Sequence, residues 1–225
     1  LNEPDSRGNV FFQEDIRRAW LKIGPDTTPE ALHAFLETNG DVIAKPLEGS
    51  SGQGIERFTR EHWEGREEAF LEELHQKGIG ILEERVIQHP RMMALCPTSV
   101  NTIRIATLLG DRKQGVVYAF LRIGNGKVMD NVDCGGMAAR VDLESGKLLT
   151  VGADKAGNTF TTHPITGTPI VGFEVPFFKE AMDMCLRAAL KVPQMRFIAW
   201  DVAVTEQGPC FIEGNSFPSH AVPQF

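Results

Sequence analysis

The sequence predicts an α+β protein of two lobes built largely from antiparallel strands, and three observations carry that prediction. Two long β runs, Asn101 to Gly110 and Gly115 to Gly124, are joined by the polar turn Asp111 to Gln114, which is a hairpin pattern. A second pair of apolar runs, on either side of Glu206-Gln207-Gly208, closes the chain in the same way. Helical stretches are interspersed, without the sustained strand, helix, strand alternation that a doubly wound parallel sheet requires.

From the N-terminus, Glu14 to Ile23 has helical spacing, with Ile16, Trp20 and Leu21 on one side. Thr28-Pro29-Glu30 reads as the cap, proline and first turn of a second helix that ends near Asn39-Gly40. A short strand from Asp41 to Leu47, a glycine loop, and a strand from Ile55 to Thr59 form a hairpin. The helix predicted over about Gly65 to Lys77 presents Ala69, Phe70, Leu71 and Leu74 as its apolar stripe and stops at Gly78. Ile79 to Gln88 reads as a strand. Beyond the central hairpin come a glycine-rich loop, a short hairpin around Glu144-Ser145-Gly146, and an irregular stretch from Asp154 to Gly172, a length usual for functional loops. Phe178, Ala181, Met182, Cys185 and Ala189 mark a helix over about Pro176 to Lys191.

Composition narrows the class. With 225 residues, 42% hydrophobic and 24% charged, the chain is long enough for a proper core and has an ordinary globular balance. A formal charge of -7 argues against a nucleic-acid partner, which would need clustered Lys and Arg. No apolar run approaches the roughly 20 residues of a membrane-spanning helix. Cys96, Cys134, Cys185 and Cys210 form no CxxC pair, so reduced thiols in a cytoplasmic protein are expected. Leu1 stands in place of an initiator methionine, so the N-terminal segment reads as the remnant of a longer region.

The chemistry gathers at FIAWDVAVTEQGPCFIEGN, Phe197 to Asn215. A three-residue loop, Glu206-Gln207-Gly208, sets Thr205 against Pro209 and, counting outward, Asp201 opposite Glu213, with Asn215 further along the same face. Directly opposed carboxylates lie with Cβ atoms roughly 5 Å apart and repel, so something positive is needed between them. A hard divalent cation, Mg²⁺ or Mn²⁺, suits this all-oxygen set. The alternative is a solvated hairpin that carries two acids by chance; Ile198, Trp200 and Ile212 argue for a buried one instead.

The loop KPLEGSSGQGI, Lys45 to Ile55, lacks the terminal Gly-Lys-Ser/Thr of a Walker A loop and the third glycine of GxGxxG. The protein-kinase set fails as well, because the lysine precedes the glycines and no HRD or DFG follows. What remains is a lysine followed by a loop of backbone N–H and hydroxyl donors suited to phosphate oxygens, or an ordinary hairpin turn.

This order of parts resembles the ATP-grasp superfamily. Within it, NTIRIATLLG, FLRIGNG, DNVDCGGMAARVD, THPITG and WDVAVTEQGPCFIEGN resemble the sugar-transfer-associated ATP-grasp family, from about Asp41 onward. The resemblance implies an ATP-grasp fold whose two α+β lobes grip a nucleotide: an N-terminal helical segment over 1–40, a lid lobe over 41–90 and a C-terminal lobe over 91–225. It implies that Lys45 contacts the nucleotide phosphates and that Glu48, Gly49, Ser50, Ser51, Gly52, Gln53 and Gly54 form the lid loop. ILEERVIQ would supply adenine and ribose contacts through Glu83, Glu84, Arg85 and Val86, with at most one of the two glutamates facing the nucleotide. Asp201, Glu213 and Asn215 match the magnesium ligands.

The spacing of Asn131, Gly135 and Gly136 is similar to that of α-L-glutamate ligases, which activate a carboxylate as an acyl phosphate for attack by an amine. The implied activity is an ATP- and Mg²⁺-dependent carboxylate-amine ligase in polysaccharide or cell-envelope biosynthesis, acting on a small carboxylate with an amine or sugar-linked acceptor. The alternatives are a kinase that phosphorylates a sugar or other hydroxyl, and a non-catalytic ATP-binding partner of a glycosyltransferase. D-alanine D-alanine ligases carry an arginine two residues before the metal aspartate; here Ala199 stands there, and Arg104 and Arg122 are the candidates to supply that charge. Asn101 and His163 are candidate substrate contacts. Each has a plainer reading: Arg104 and Arg122 as paired strand arginines, Asn131 with its glycines as a turn, and His163 as a surface histidine.

Overall fold

The structure, a computed structural model, describes residues 12–46, 54–112, 114–126, 132, 135–216 and 218. The chain divides into two compact units at Val86 and Ile87.

The first unit contains α1 (Gln13–Ile16), β1 (Trp20–Lys22), α2 (Pro29–Asn39), β2 (Val42–Pro46), β3 (Glu56–Phe58), α3 (Arg60–Trp63), α4 (Glu67–Gln76) and β4 (Ile79–Glu84). Its four strands make a sheet in the order β1-β4-β2-β3, antiparallel at every pairing. Helix α2 starts as its sequence dictates: the Thr28 hydroxyl accepts the Ala31 N–H and Pro29 takes the first turn. It ends where Gly40 adopts φ 66° and returns its N–H to the Leu36 carbonyl. Leu32 and Leu36 from α2 and Phe70, Leu71 and Leu74 from α4 join Phe58, Trp63 and Leu82 in one core. Burying each such side chain stabilises the unit by roughly 1.5–3 kcal/mol.

The predicted helix over Glu14 to Ile23 is not continuous. Helix α1 stops at Ile16, Arg17 turns to φ 53°, and Trp20–Lys22 becomes the strand that pairs with β4, Trp20 opposite Glu83. Backbone pairing along the open edge of β4 outweighs a helical periodicity of only ten residues. The strand expected from Ile79 to Gln88 ends at Glu84.

The second unit contains α5 (Pro90–Leu95), β5 (Ile103–Leu109), β6 (Gln114–Ile123), β7 (Met137–Arg140), β8 (Gly152–Asp154), β9 (Thr159–Phe160), α6 (Phe178–Lys191), β10 (Phe197–Thr205) and β11 (Gly208–Asn215). They form a seven-stranded antiparallel sheet in the order β11-β10-β5-β6-β7-β8-β9. The 154–172 stretch is less irregular than expected, holding β9 and a bridge between Thr162 and Pro169. Helix α6 buries Ala181, Met184, Cys185 and Ala188 and lies against β5, β10 and β11. Strand alternation separates Ile103, Ile105, Trp200 and Val202, all buried, from Arg104 and Asp201 on the other face. Among the described residues no helix is long and apolar enough to cross a membrane, and Cys96, Cys185 and Cys210 are buried thiols outside any disulfide.

The last hairpin reaches its expected pairing by a different route. Its turn has two residues, Glu206 and Gln207, so Thr205 faces Gly208 rather than Pro209. A register shift beyond Val202 leaves Ile212 as an extra residue on β11 and brings Asp201 back opposite Glu213. Asn215 lies opposite Ala199.

Candidate active site

Residues directly opposed on neighbouring strands share a face. The register of the second unit therefore aligns Glu213, Asp201, Arg104, Phe120 and Arg140 in one row across β11, β10, β5, β6 and β7. Arg122, two residues beyond Phe120, is on the same face.

Asp201 has no solvent exposure. Arg104 binds it with both arms of the fork: Nε donates to Oδ1 at 2.6 Å and Nη2 to Oδ2 at 2.6 Å. Arg122 adds Nη2 to Oδ2 at 2.9 Å and anchors its own Nε on the Thr102 hydroxyl at 2.9 Å. Burial works to raise the Asp201 pKa, but Arg122 and Arg104 outweigh it and hold the carboxyl below its usual value. Glu213 responds in the opposite direction. Loss of hydration, then the Asp201 charge, raise it to about 7. The 46% of its side chain that still meets water works against that rise.

The opposed carboxylates were expected to need a divalent cation between them. In this structure guanidinium supplies the positive charge at Asp201, so Arg104, Arg122, Asp201, Glu213 and Asn215 form one cluster. A carboxylate offers about four lone-pair directions, and three at Asp201 accept guanidinium N–H groups. Glu213 receives the Asn215 amide at 3.2 Å, with Arg104 Nη2 4.0 Å away. Asp201 and Glu213 are also hydrogen-bonded to each other, and the Glu213, Asn215 and Asp201 oxygens are the donor types that a hard cation prefers. Among the described residues no group of three or more His, Cys, Asp or Glu side chains is placed to hold a metal.

In the first unit Lys45 and Glu83 meet inside the sheet. Lys45 Nζ lies 3.0 Å from Glu83 Oε2, and Arg18 reaches the same oxygen with Nε at 2.9 Å and Nη2 at 2.7 Å. Glu84, the neighbour with opposite direction, accepts the Ala19 N–H at 3.0 Å, while Arg85 lies 3.5 Å from Asp41. Val86 is half-buried and Gly54 sits in a turn at φ 77°. Glu48, Gly49, Ser50, Ser51, Gly52, Gln53 and Asn131 lie outside the described residues.

Two expected substrate contacts are instead internal braces. Asn101 is fully buried; its Nδ2 donates to Gln88 Oε1, Met92 O and Cys96 O at 2.9–3.0 Å, and its Oδ1 accepts the Gly124 N–H. His163, 1% exposed, donates from Nε2 to the Gly124 carbonyl at 2.8 Å and accepts the Ile165 and Thr166 N–H groups at Nδ1. Both residues fix the Gly124 loop, and their polar atoms are already engaged by groups of the protein. Gly135 is exposed at φ 93° and Gly136 is buried. Sequence reasoning missed Arg18, Thr102 and Gln88; Arg18 read as helical, and its partner Glu83 is 65 residues away.

The family model for sugar-transfer associated ATP-grasp proteins matches residues 21–225. The chain belongs to that family. No curated protein matches it. The fold of this ATP-grasp chain is similar to that of solved ligases. The ATP-grasp ligase PsnB complexed with minimal precursor, Mg and ADP gives a TM-score of 0.55 at 15% identity, over 98% of this chain and 52% of that one. D-alanine–D-alanine ligase from Bacillus anthracis gives 0.51 at 14% identity, over 98% and 59%. The ADP complex of purK, N5-carboxyaminoimidazole ribonucleotide synthetase, gives 0.58 at 9% identity, over 98% and 46%. The chain thus spans about half the length of the structures it matches.

Proposed function

We propose that this ATP-grasp protein is an ATP- and Mg²⁺-dependent ligase that joins a carboxylate to an amine or similar nucleophile. The observation that carries the reading is the cluster of Arg104 and Arg122 on Asp201, beside Glu213 and Asn215 on one sheet face. The ligases that share the fold support it. Magnesium, once bound, would neutralise phosphate charge and polarise the P–O bond that breaks; Mn²⁺ suits the same oxygen set.

In this reading Glu213, Asn215 and Asp201 hold the cation. Arg104 and Arg122 face the oxygens on which negative charge accumulates, and catalysis is chiefly positioning and electrostatics. The carboxylate oxygen bonds to the γ-phosphorus as the bond to the β-phosphate oxygen breaks, releasing ADP. The amine then attacks the acyl carbon, phosphate leaves, and the amine proton passes to solvent. Lys45 serves the nucleotide phosphates, and Glu83, which holds Lys45 with Arg18, is a positioning residue. The family's association with sugar transfer supports a place in polysaccharide or cell-envelope synthesis, beside glycosyltransferases in the cytoplasm.

The test is a thermal-shift titration with a non-hydrolysable ATP analogue and Mg²⁺, separately and together, on wild type and Glu213→Gln. Stabilisation by the pair beyond either component, lost in the variant, is expected. No shift from the pair in the wild type would overturn the reading.

A further inference from the structure

Tyr118 is the single tyrosine among 225 residues. It lies on β6 two residues before Phe120 and four before Arg122, so alternation puts all three on the face that carries Asp201 and Arg104. Its ring stacks on that of Phe120 at 6.1 Å and 11°. The register sets Tyr118, Ala106, Ala199 and Asn215 in a row of their own, next to the row of Phe120, Arg104, Asp201 and Glu213. The two residues between Tyr118 and Asn215 are alanines, which offer no polar side-chain atom.

The phenol oxygen is buried and has no hydrogen-bond partner. A buried hydroxyl without a partner costs stability, and phenylalanine would fill the same space without that cost. Trp63 Nε1 shares the condition but belongs to the apolar core of the first unit. Tyr118 also packs against apolar groups, Phe120, Val132 and Ala138, but it differs in that a charge acts on its phenol: burial raises its pKa, with the Arg104 charge opposing, and the phenol stays a protonated donor. Together the phenol O–H and the Arg104 and Arg122 guanidinium groups make a donor array on one face.

We infer that Tyr118 is a substrate-contacting residue whose O–H donates to an anionic oxygen of a carboxylate or phosphoryl group bound beside Arg104. The assignment deepens the ligase reading and rests on it for the reaction step. When the amine attacks, the acyl C=O electron pair moves onto oxygen, and the phenol donates a hydrogen bond to that oxygen while keeping its proton. The charge collapses back as phosphate leaves.

Because Tyr118 is unique, incorporation of 3-fluorotyrosine gives one ¹⁹F resonance that reports this phenol alone. Titration with orthophosphate and with acetate, without nucleotide and against chloride at matched ionic strength, is expected to move it saturably. No movement with either oxyanion would overturn the assignment. Tyr118→Phe is expected to keep or raise the melting temperature and to slow Mg²⁺-dependent phosphate release about 100- to 1000-fold. A lower melting temperature, meaning the phenol is bonded within the protein, or an unchanged rate would overturn it too. If the ATP analogue with Mg²⁺ gives no thermal shift while orthophosphate still moves the ¹⁹F signal, the ligase reading falls and the oxyanion site stands.

Discussion

Replacing Glu83 with glutamine keeps the shape of the side chain and removes its charge, leaving two buried cations without their shared counter-ion. Arg18 Nη2 and Lys45 Nζ lie 2.7 and 3.0 Å from the same oxygen, so the two charges are within about 6 Å of each other. At an effective dielectric of ~20 their repulsion alone is about 3 kcal/mol. Adding the lost charged hydrogen bonds, Glu83→Gln should destabilise the first unit by about 3–5 kcal/mol. Lys45→Met leaves a neutral Arg18–Glu83 pair and should cost less, about 1.5–3 kcal/mol. The assay is urea unfolding in a Trp200→Phe background, so that Trp20 and Trp63, both in the first unit, report.

The pH dependence adds a second constraint. Burial raises the Glu83 pKa, but Lys45 and Arg18 outweigh it, so the folded value is below the usual one of 4.5. A carboxylate depressed on folding contributes stability that is fully present above the unfolded pKa and is lost as pH falls through the folded one. The gap between wild type and Glu83→Gln should therefore be constant near neutrality and shrink in acid. A cost under about 1 kcal/mol, or a larger cost for Lys45→Met than for Glu83→Gln, would refute this account of the triad.

In the second unit, Asp201→Asn strips two guanidinium groups of their carboxylate and should cost about 3–5 kcal/mol, read by urea unfolding through Trp200. Glu213→Gln should behave oppositely in EDTA. The folded Glu213 pKa is raised to about 7, so the wild type loses stability as pH climbs from about 4.5 through 7. The variant should accordingly melt higher than wild type at pH 8 and equal it at pH 4, by thermal shift. Gly124→Ala would set a Cβ 1.9 Å from Ser99 Oγ and 3.2 Å from Cys96 Sγ. An overpacking cost of at least about 1–3 kcal/mol in urea titration is expected, since Asn101 and His163 fix this loop from both sides.

Much of the second unit was legible because its signals are local. The β5–β6 hairpin, the terminal hairpin and α6 follow from alternation, turn residues and a 3.6-residue stripe within one window. The pairing of Asp201 with Glu213 was also legible, although the supposed three-residue turn and the unforeseen bulge at Ile212 are errors that cancel. The helix over Glu14 to Ile23 failed because β1 depends on the edge of β4, some 60 residues later, which no local window contains. Asn101 and His163 looked like ligand contacts because a polar side chain carries no mark of its burial.

The sequence by itself determined the antiparallel α+β class, the acids of the last hairpin and the family, since composition, periodicity and family motifs are properties of order along the chain. Tertiary structure alone decided what faces those acids. Arg104 and Arg122 reach Asp201 from 97 and 79 residues away, and Arg18 and Lys45 converge on one oxygen of Glu83. Charge compensation falls off with distance in space and depends on exclusion of water, and both are fixed only when the strands come into register.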